Sequence, residues 1–254
     1  MQDITEYFDV TRELIPYIPE LLADLWALGS SPELIVEWLR PLGLPPNSTH
    51  VLDAGCGKGA VAITLAKEFD FQVLGVDFFQ PFVSEAKEKA RERGVAGLCQ
   101  FEYADIRDTL RKTRDFDIVI YAAVDGVLGE FNQCVGQLRQ SIRPGGYMII
   151  DDGFLATTTK IEFPGYEHYV SREETLLQLT SHGDTLLREK ISSAEDMKAL
   201  NRRNTKLISK RAEQLAQRHP EIADSFLRYV EQQKRESKIL ETEMSSAVWL
   251  IQKV

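Results

Sequence analysis

The stretch Val51-Leu52-Asp53-Ala54-Gly55-Cys56-Gly57-Lys58-Gly59 carries the reading of the fold. Val51, Leu52 and Ala54 form the apolar end of a short strand, three glycines at alternate positions make a turn, and residues 60–68 then show helical spacing. A strand that runs through a glycine-rich turn into a helix opens a doubly wound α/β sheet, in which glycine lets a ligand approach the backbone. Residues 55–60 also satisfy the looser G-x-G-x-x-G/A dinucleotide pattern, so glycine spacing alone does not choose the ligand. Asp53 narrows the choice. A carboxylate two residues before the first glycine suits a cationic or amine-bearing ligand and would face a pyrophosphate with like charge.

Downstream, strand and helix signals alternate. Strands are predicted at 50–54, 72–76, 99–103, 117–122 and 147–151, with helices at 60–68, 81–93, 108–112 and 130–142. A helix follows at 172–180, a sixth strand at 185–191 and a last strand at 246–251. This is the pattern of an α/β protein: a doubly wound, seven-stranded, mostly parallel sheet of Rossmann-like type, with ligands beyond the carboxyl ends of its central strands.

The flanks are helical. Ile18, Leu21, Leu22, Leu25 and Trp26 predict one amphipathic helix within residues 4–28, stopped by Gly29. Ser30-Ser31-Pro32-Glu33 then supplies a hydroxyl cap and an early proline for a second helix, with Leu34, Ile35, Trp38 and Leu39 on one face and Gly43 at its end. Between the sixth and last strands, residues 194–241 are polar and helical. Met197, Leu200, Leu207, Leu215, Phe226, Leu227 and Val230 are their expected buried positions, and Pro220 divides them. The division read from these signals is an N-terminal helical segment (1–49), a ligand-binding core (50–193), a helical insert (194–244) and a last core strand (245–254). These flanking helices are expected to form a lid over the site; the alternatives are that they extend the core or build a homodimer interface.

At these motifs the sequence resembles the class I S-adenosylmethionine-dependent methyltransferase family, over roughly residues 51–152. In that family the turn D-x-G-x-G-x-G, here Asp53, Gly55, Gly57 and Gly59, cradles the methionine part of S-adenosylmethionine. An acidic residue ending the second strand holds the ribose hydroxyls, matched by Asp77. An acidic residue after the third strand reads the adenine amino group, matched by Asp105 in Ala104-Asp105-Ile106, and Arg143-Pro144-Gly145-Gly146 looks like the family's turn before the fifth strand. The resemblance therefore implies a cofactor set of Asp53, Gly55, Gly57, Gly59, Asp77, Phe78, Asp105, Ile106 and Tyr121. A carboxylate can accept two hydrogen bonds from a ribose diol or one from an adenine amine. Asp77 and Asp105 could equally be helix N-caps or solvated loop carboxylates.

Methyl transfer needs alignment and water exclusion more than covalent help. Candidates for proton transfer are Tyr121, Asp125 and His168. Glu130, Asp151, Asp152, Tyr166 and Tyr169 also fall near the same strand ends. A lone loop histidine is more often a packing residue than a base. Asp125 with Asp151 and Asp152 is also similar to the carboxylates of magnesium-dependent O-methyltransferases, but the glycine turn departs from that subgroup, and no metal is expected.

With 30 basic and 39 acidic residues, the formal charge is −9, which disfavours a phosphate backbone and favours a small-molecule acceptor. Arg202, Arg203, Lys206, Lys210 and Arg211 could make a basic face, but Glu195, Asp196, Glu213 and Glu221 dilute it, so RNA or protein acceptors stay alternatives. A nicotinamide-dependent oxidoreductase and a noncatalytic cofactor-binding protein are the rivals from other classes. No secretory signal and no membrane-spanning stretch is evident, and Cys56, Cys99 and Cys134 have neither metal nor disulfide spacing. Reduced thiols in a cytoplasm are the expectation.

Overall fold

The computed structural model describes residues 10–157, 159–163 and 165–254. Its strands are β1 His50–Ala54, β2 Gln72–Asp77, β3 Cys99–Tyr103, β4 Phe116–Ala122, β5 Ile142–Leu155, β6 Thr185–Ile191 and β7 Met244–Gln252. They form one seven-stranded sheet in the order β3-β2-β1-β4-β5-β7-β6. The pairs β3–β2, β2–β1, β1–β4 and β4–β5 are parallel, and β6 runs antiparallel to β7. Because the chain reverses its direction of winding between β1 and β4, a crevice for ligand is expected beyond the carboxyl ends of these two strands.

The helices are α1 Pro32–Leu39, α2 Ala60–Phe69, α3 Gln80–Glu92, α4 Ile106–Lys112, α5 Phe131–Leu138, α6 Arg172–Leu179, α7 Ala194–Arg218 and α8 Ala223–Thr242. Val51, Leu52, Ile118, Val119 and Ile120 are fully buried, as strands covered on both faces require. At the sheet edge, β6 instead leaves Leu187 and Ile191 exposed. Among the described residues no helix is long and apolar enough to cross a membrane.

The chain divides into two compact units. One comprises Ala27–Ile191 with Ser246–Val254 and contains most of the sheet. Here α1 packs on α2, so the second N-terminal helix belongs with the sheet. The other unit comprises the segment up to Trp26 with Ser192–Ser245, in which α7 and α8 pack as a hairpin. Within that hairpin Asn201 is buried, and its Nδ2 donates to the Ser237 carbonyl at 3.3 Å and to Glu241 Oε1 at 3.2 Å. The two bonds satisfy an amide that burial would otherwise penalise.

Several local expectations are corrected. The helix predicted within residues 4–28 is absent over the described part: Arg12–Tyr17 is a 3-10 turn, Ile18–Leu21 is one helical turn, and the chain then turns again. Pro16 and Pro19 lack the N–H that a longer helix needs; residues 4–9 lie outside the described residues. The hydroxyl cap is not made either. Ser30 Oγ donates to the Ala27 carbonyl, and Ser31 caps α1 without a side-chain bond. In the insert, Leu200 and Leu227 are exposed and Met197 and Leu207 only half-buried, whereas the buried stripe of α7 runs through Asn201, Ile208, Ala212 and Leu215. The helix predicted at 130–142 ends at Leu138, and β5 begins at Ile142. Between the pairs Phe116/Ile142 and Ile118/Tyr147 the register shifts, and the segment Arg143-Pro144-Gly145-Gly146 fits into that irregularity, with Gly145 at φ +77°.

Candidate functional site

The glycine turn is held from three sides. Gly55 and Cys56 both donate their amides to the Val76 carbonyl at 2.9 Å, which ties the turn to the end of β2. Gly57 donates to Asp77 Oδ2 at 2.8 Å, and Asp77 Oδ1 accepts from Phe79 N at 2.8 Å. A side chain at Gly55 would put its Cβ 2.4 Å from Val124, and the φ of +87° favours glycine independently. The loop after β4 therefore closes directly on the turn.

Asp53 is buried, and its Oδ2 accepts from Ala62 N at 3.1 Å in the first turn of α2. Its carboxylate thus braces the helix that the turn opens. Burial lifts its pKa to about 7, against the lowering effect of the Ala62 bond and with a further push from the Asp77 charge. Asp77 is also raised by burial, while amides at Phe79, Gly57 and Phe78 pull it back. Its two oxygens together offer about four lone-pair sites, more than the amides of Gly57, Phe79 and Phe78 use, which leaves acceptor capacity for a diol. Phe78 beside it is half-buried, whereas Phe79 packs edge-on against Phe82 in the core.

Asp105 is the N-cap of α4. It accepts from Arg107 N at 2.9 Å, and its carboxylate is gripped by the Arg107 guanidinium, with one contact at 2.6 Å. These bonds, chiefly from the Arg107 side chain, hold its pKa below the usual range. Ile106 is buried at the first position of that helix. The helix-cap role is therefore realised for Asp105, and any hydrogen bond to a ligand would share a carboxylate already paired with arginine.

A second cluster lies at the ends of β4 and β5. Tyr121 is buried, and its hydroxyl donates to the Asp125 carbonyl at 2.6 Å. Ala123 and Asp125 both adopt φ +53°, a left-handed conformation that costs a non-glycine residue roughly 1 kcal/mol and marks a constrained loop. Asp125 keeps surface open to solvent, yet lies deep enough in a recess for desolvation to raise its pKa. Asp152 accepts from the Tyr169 hydroxyl at 2.7 Å. Burial first, and then the Asp125 charge, push Asp152 up to about 8. Asp151 is turned the other way, accepting from Ser31 N at 2.8 Å, and burial lifts it to about 6.

His168 packs tilted against Tyr169, with ring centroids 3.9 Å apart, and meets Phe131 edge-on at 6.3 Å. Burial lowers its pKa, so the ring is neutral near pH 7, and its Nε2 is buried with no hydrogen-bond partner among the described residues. Tyr166 is buried beside Tyr169, and Glu130 is exposed. Among the described residues no three His, Cys, Asp or Glu side chains gather as a metal site.

Two features escaped the sequence reading. Residues 28–31, read only as a helix boundary, sit on the site: the Leu28 side chain would be 3.0 Å from a Cβ at Gly57, a Cβ at Gly29 would be 3.3 Å from Ala123, and Ser31 bonds Asp151. Lys58, between two glycines of the turn, is fully buried. The first has no motif of its own. The second could have been suspected, because its neighbours on both sides are buried segments.

The turn, the carboxylate ending β2 and the strand order define the seven-stranded α/β methyltransferase fold. A model of the methyltransferase domain family matches residues 46–241, well over half of the chain, and the chain belongs to that family. It is 29% identical over 115 residues to the uncharacterized protein YjhP of Escherichia coli K12, covering 45% of this chain and 46% of that one. It is 30% identical over 106 residues to the 27-O-demethylrifamycin SV methyltransferase of Amycolatopsis mediterranei, covering 42% and 39%. These matches span less than half the length of the curated relatives. A crystal structure of a SAM-dependent methyltransferase from Thiobacillus denitrificans in complex with S-adenosyl-L-homocysteine aligns with a TM-score of 0.79 at 18% identity, over 96% of this chain and 99% of that one.

Proposed function

We propose that this protein is an S-adenosylmethionine-dependent methyltransferase that acts on a small-molecule acceptor. The observation that carries the reading is Asp77: a buried carboxylate at the end of β2 that orders the glycine turn through Gly57 and keeps acceptor capacity for a ribose diol. The residues present fit the cofactor. The turn at residues 55–59 is bare of side chains where Gly55 and Gly57 face the loops, Asp77 would hold the ribose, Phe78 offers a half-buried ring, and Asp105 with Ile106 borders the adenine end. When bound, S-adenosylmethionine supplies a methyl group activated by sulfonium charge.

The chain's own residues would orient and desolvate the acceptor. Tyr166, His168 and Tyr169 form a ring-lined wall beside Asp152. A backbone hydrogen bond at Gly165 acts on His168, and a ring donating there carries its lone pair on Nε2, which then can accept the acceptor's proton. The charges that push on Asp152, from Asp125 and Asp151, are negative. The Asp125 carboxylate beside this wall disfavours phosphate and carboxylate groups and favours a neutral or cationic acceptor. The formal charge of −9 points the same way, against nucleic acid.

Calorimetry with S-adenosylhomocysteine and NAD separates this reading from its rivals. Binding of the first and not the second is expected, followed by turnover in a screen of small acceptors with methyl-labelled cofactor. Binding of NAD alone would establish the oxidoreductase alternative, and methylation only of RNA or protein would replace the acceptor class.

A further inference from the structure

Lys58 lies between Gly57 and Gly59 at the centre of the turn, and its side chain has no exposed surface. A lysine on a ligand-binding turn ordinarily reaches water with its ammonium. Here Nζ lies 3.3 Å from Glu85 Oε2 and 5.3 Å from the centre of the Phe82 ring, both on α3. Glu85 Oε1 also holds Lys89 Nζ at 3.2 Å one turn further along the helix. An ammonium stripped of its hydration is retained only where a carboxylate and polarizable neighbours replace that water. The residue is therefore tied to α3 through Glu85 and Phe82.

The adjacent tether makes this link informative. The Gly57 amide is bonded to Asp77 Oδ2, and Asp77 Oδ1 is bonded to the amide of Phe79, which immediately precedes α3. Successive residues of the turn are thus fixed to the same corner, Gly57 through its backbone and Lys58 through its side chain.

We propose that Lys58 is a positioning residue: by gripping Glu85 and Phe82 it sets the separation between the glycine turn and Asp77, and so the fit of a ligand that must span both. The inference rests on the cofactor reading above, in which the turn takes the amino-acid end of the ligand and Asp77 its ribose. Lysine is used because it alone among long side chains combines a reach of four methylenes with a compact charge that a single carboxylate can fix.

The test compares S-adenosylhomocysteine, which spans both parts, with 5′-methylthioadenosine, which lacks the amino-acid end. Calorimetry on the full chain would use the wild type, Lys58→Met, which keeps most of the volume, Glu85→Gln, and the double variant. Each single substitution is expected to weaken S-adenosylhomocysteine at least about tenfold, as small misplacements of binding groups do, with methylthioadenosine changed less than about twofold. The double variant should lose less than the sum of the two single losses, because both substitutions remove the Lys58–Glu85 pair. Amide exchange at residues 55–59 without ligand should also quicken in both single variants. Unchanged affinity, equal loss for the two ligands, or additive losses would overturn the proposal. If Lys58→Met does not fold, Glu85→Gln, altering a partly exposed partner, decides alone. Failure of the wild type to bind S-adenosylhomocysteine would overturn the functional reading, whereas unaltered ligand-free exchange would overturn the clamp itself.

Discussion

The two halves of the site are built on opposite principles. At the ends of β1 and β2 the geometry is set by backbone: amides of Gly55 and Cys56 on one carbonyl, amides of Gly57 and Phe79 on one carboxylate, and glycines where a Cβ would collide. At the ends of β4 and β5 it is set by side chains: Asp152 with Tyr169, Tyr121 with the Asp125 carbonyl, and His168 packed between the Tyr169 and Phe131 rings. Backbone tethers tolerate few sequences and hold one shape, as an invariant ligand requires. Side-chain walls can change by substitution while the sheet beneath stays intact, which is how one fold accommodates many acceptors.

The largest effect expected from breaking this contrast is at Gly55. Gly55→Val should abolish detectable S-adenosylhomocysteine binding in calorimetry, because the new side chain meets Val124 at 2.4 Å and must adopt φ +87°. Native affinity in a folded variant would show that the turn is not part of the ligand site.

Next is His168→Ala, on the side proposed for the acceptor. The rate at saturating cofactor should fall on the order of a hundredfold or more, with the S-adenosylhomocysteine affinity unchanged. A loss confined to cofactor affinity would reverse the assignment of the two halves.

Asp77→Ala should weaken S-adenosylhomocysteine by on the order of 1.5 to 3 kcal/mol through loss of a charge-assisted acceptor. It should also quicken amide exchange at Gly57, whose partner is removed. Faster exchange with native affinity would reduce Asp77 to a brace of the turn.

The smallest effect is in stability against pH. Asp152 has a folded pKa of about 8 against an ordinary 3.8, so the folded state holds its proton more tightly than the unfolded chain does. Its favourable contribution is complete below pH 4 and is lost as pH rises through about 8. Asp152→Asn removes this dependence. Between pH 6 and 8.5 the wild type should lose a few degrees more in Tm than the variant, about 2 °C per kcal/mol for a chain of this size. Parallel Tm curves would mean that the Asp152 carboxylate is well solvated.

Legibility followed the same division. The strands at 50–54, 99–103 and 185–191 were read with the bounds they have in the structure, and the glycine turn was read with its flanking strand and helix. β1 is a short apolar run of the buried parallel sheet, and β3 and β6 are edge strands bounded by turn residues, so each pattern is local. The first helix was overread, because apolar spacing at Ile18, Leu21, Leu22, Leu25 and Trp26 outweighed Pro16 and Pro19. In the insert the apolar spacing likewise points to the wrong residues: Leu200 and Leu227 are exposed, and Asn201 is buried with bonds to α8. Periodicity cannot rank two helical faces when a partner helix supplies the polar contacts.

By itself, the sequence determined the α/β class, the order of elements and the place of the glycine turn, since each depends on residue types within a few positions of one another. Tertiary structure alone decided the rest. It paired Asp152 with Tyr169 and Asp151 with Ser31, placed residues 28–31 against Gly57 and Ala123, committed Asp105 to Arg107, and buried Lys58 against α3. The physical reason is that a carboxylate's protonation and a lysine's solvation depend on which distant segments displace water around them. That displacement is a property of the packed chain and has no signature in any short stretch of it.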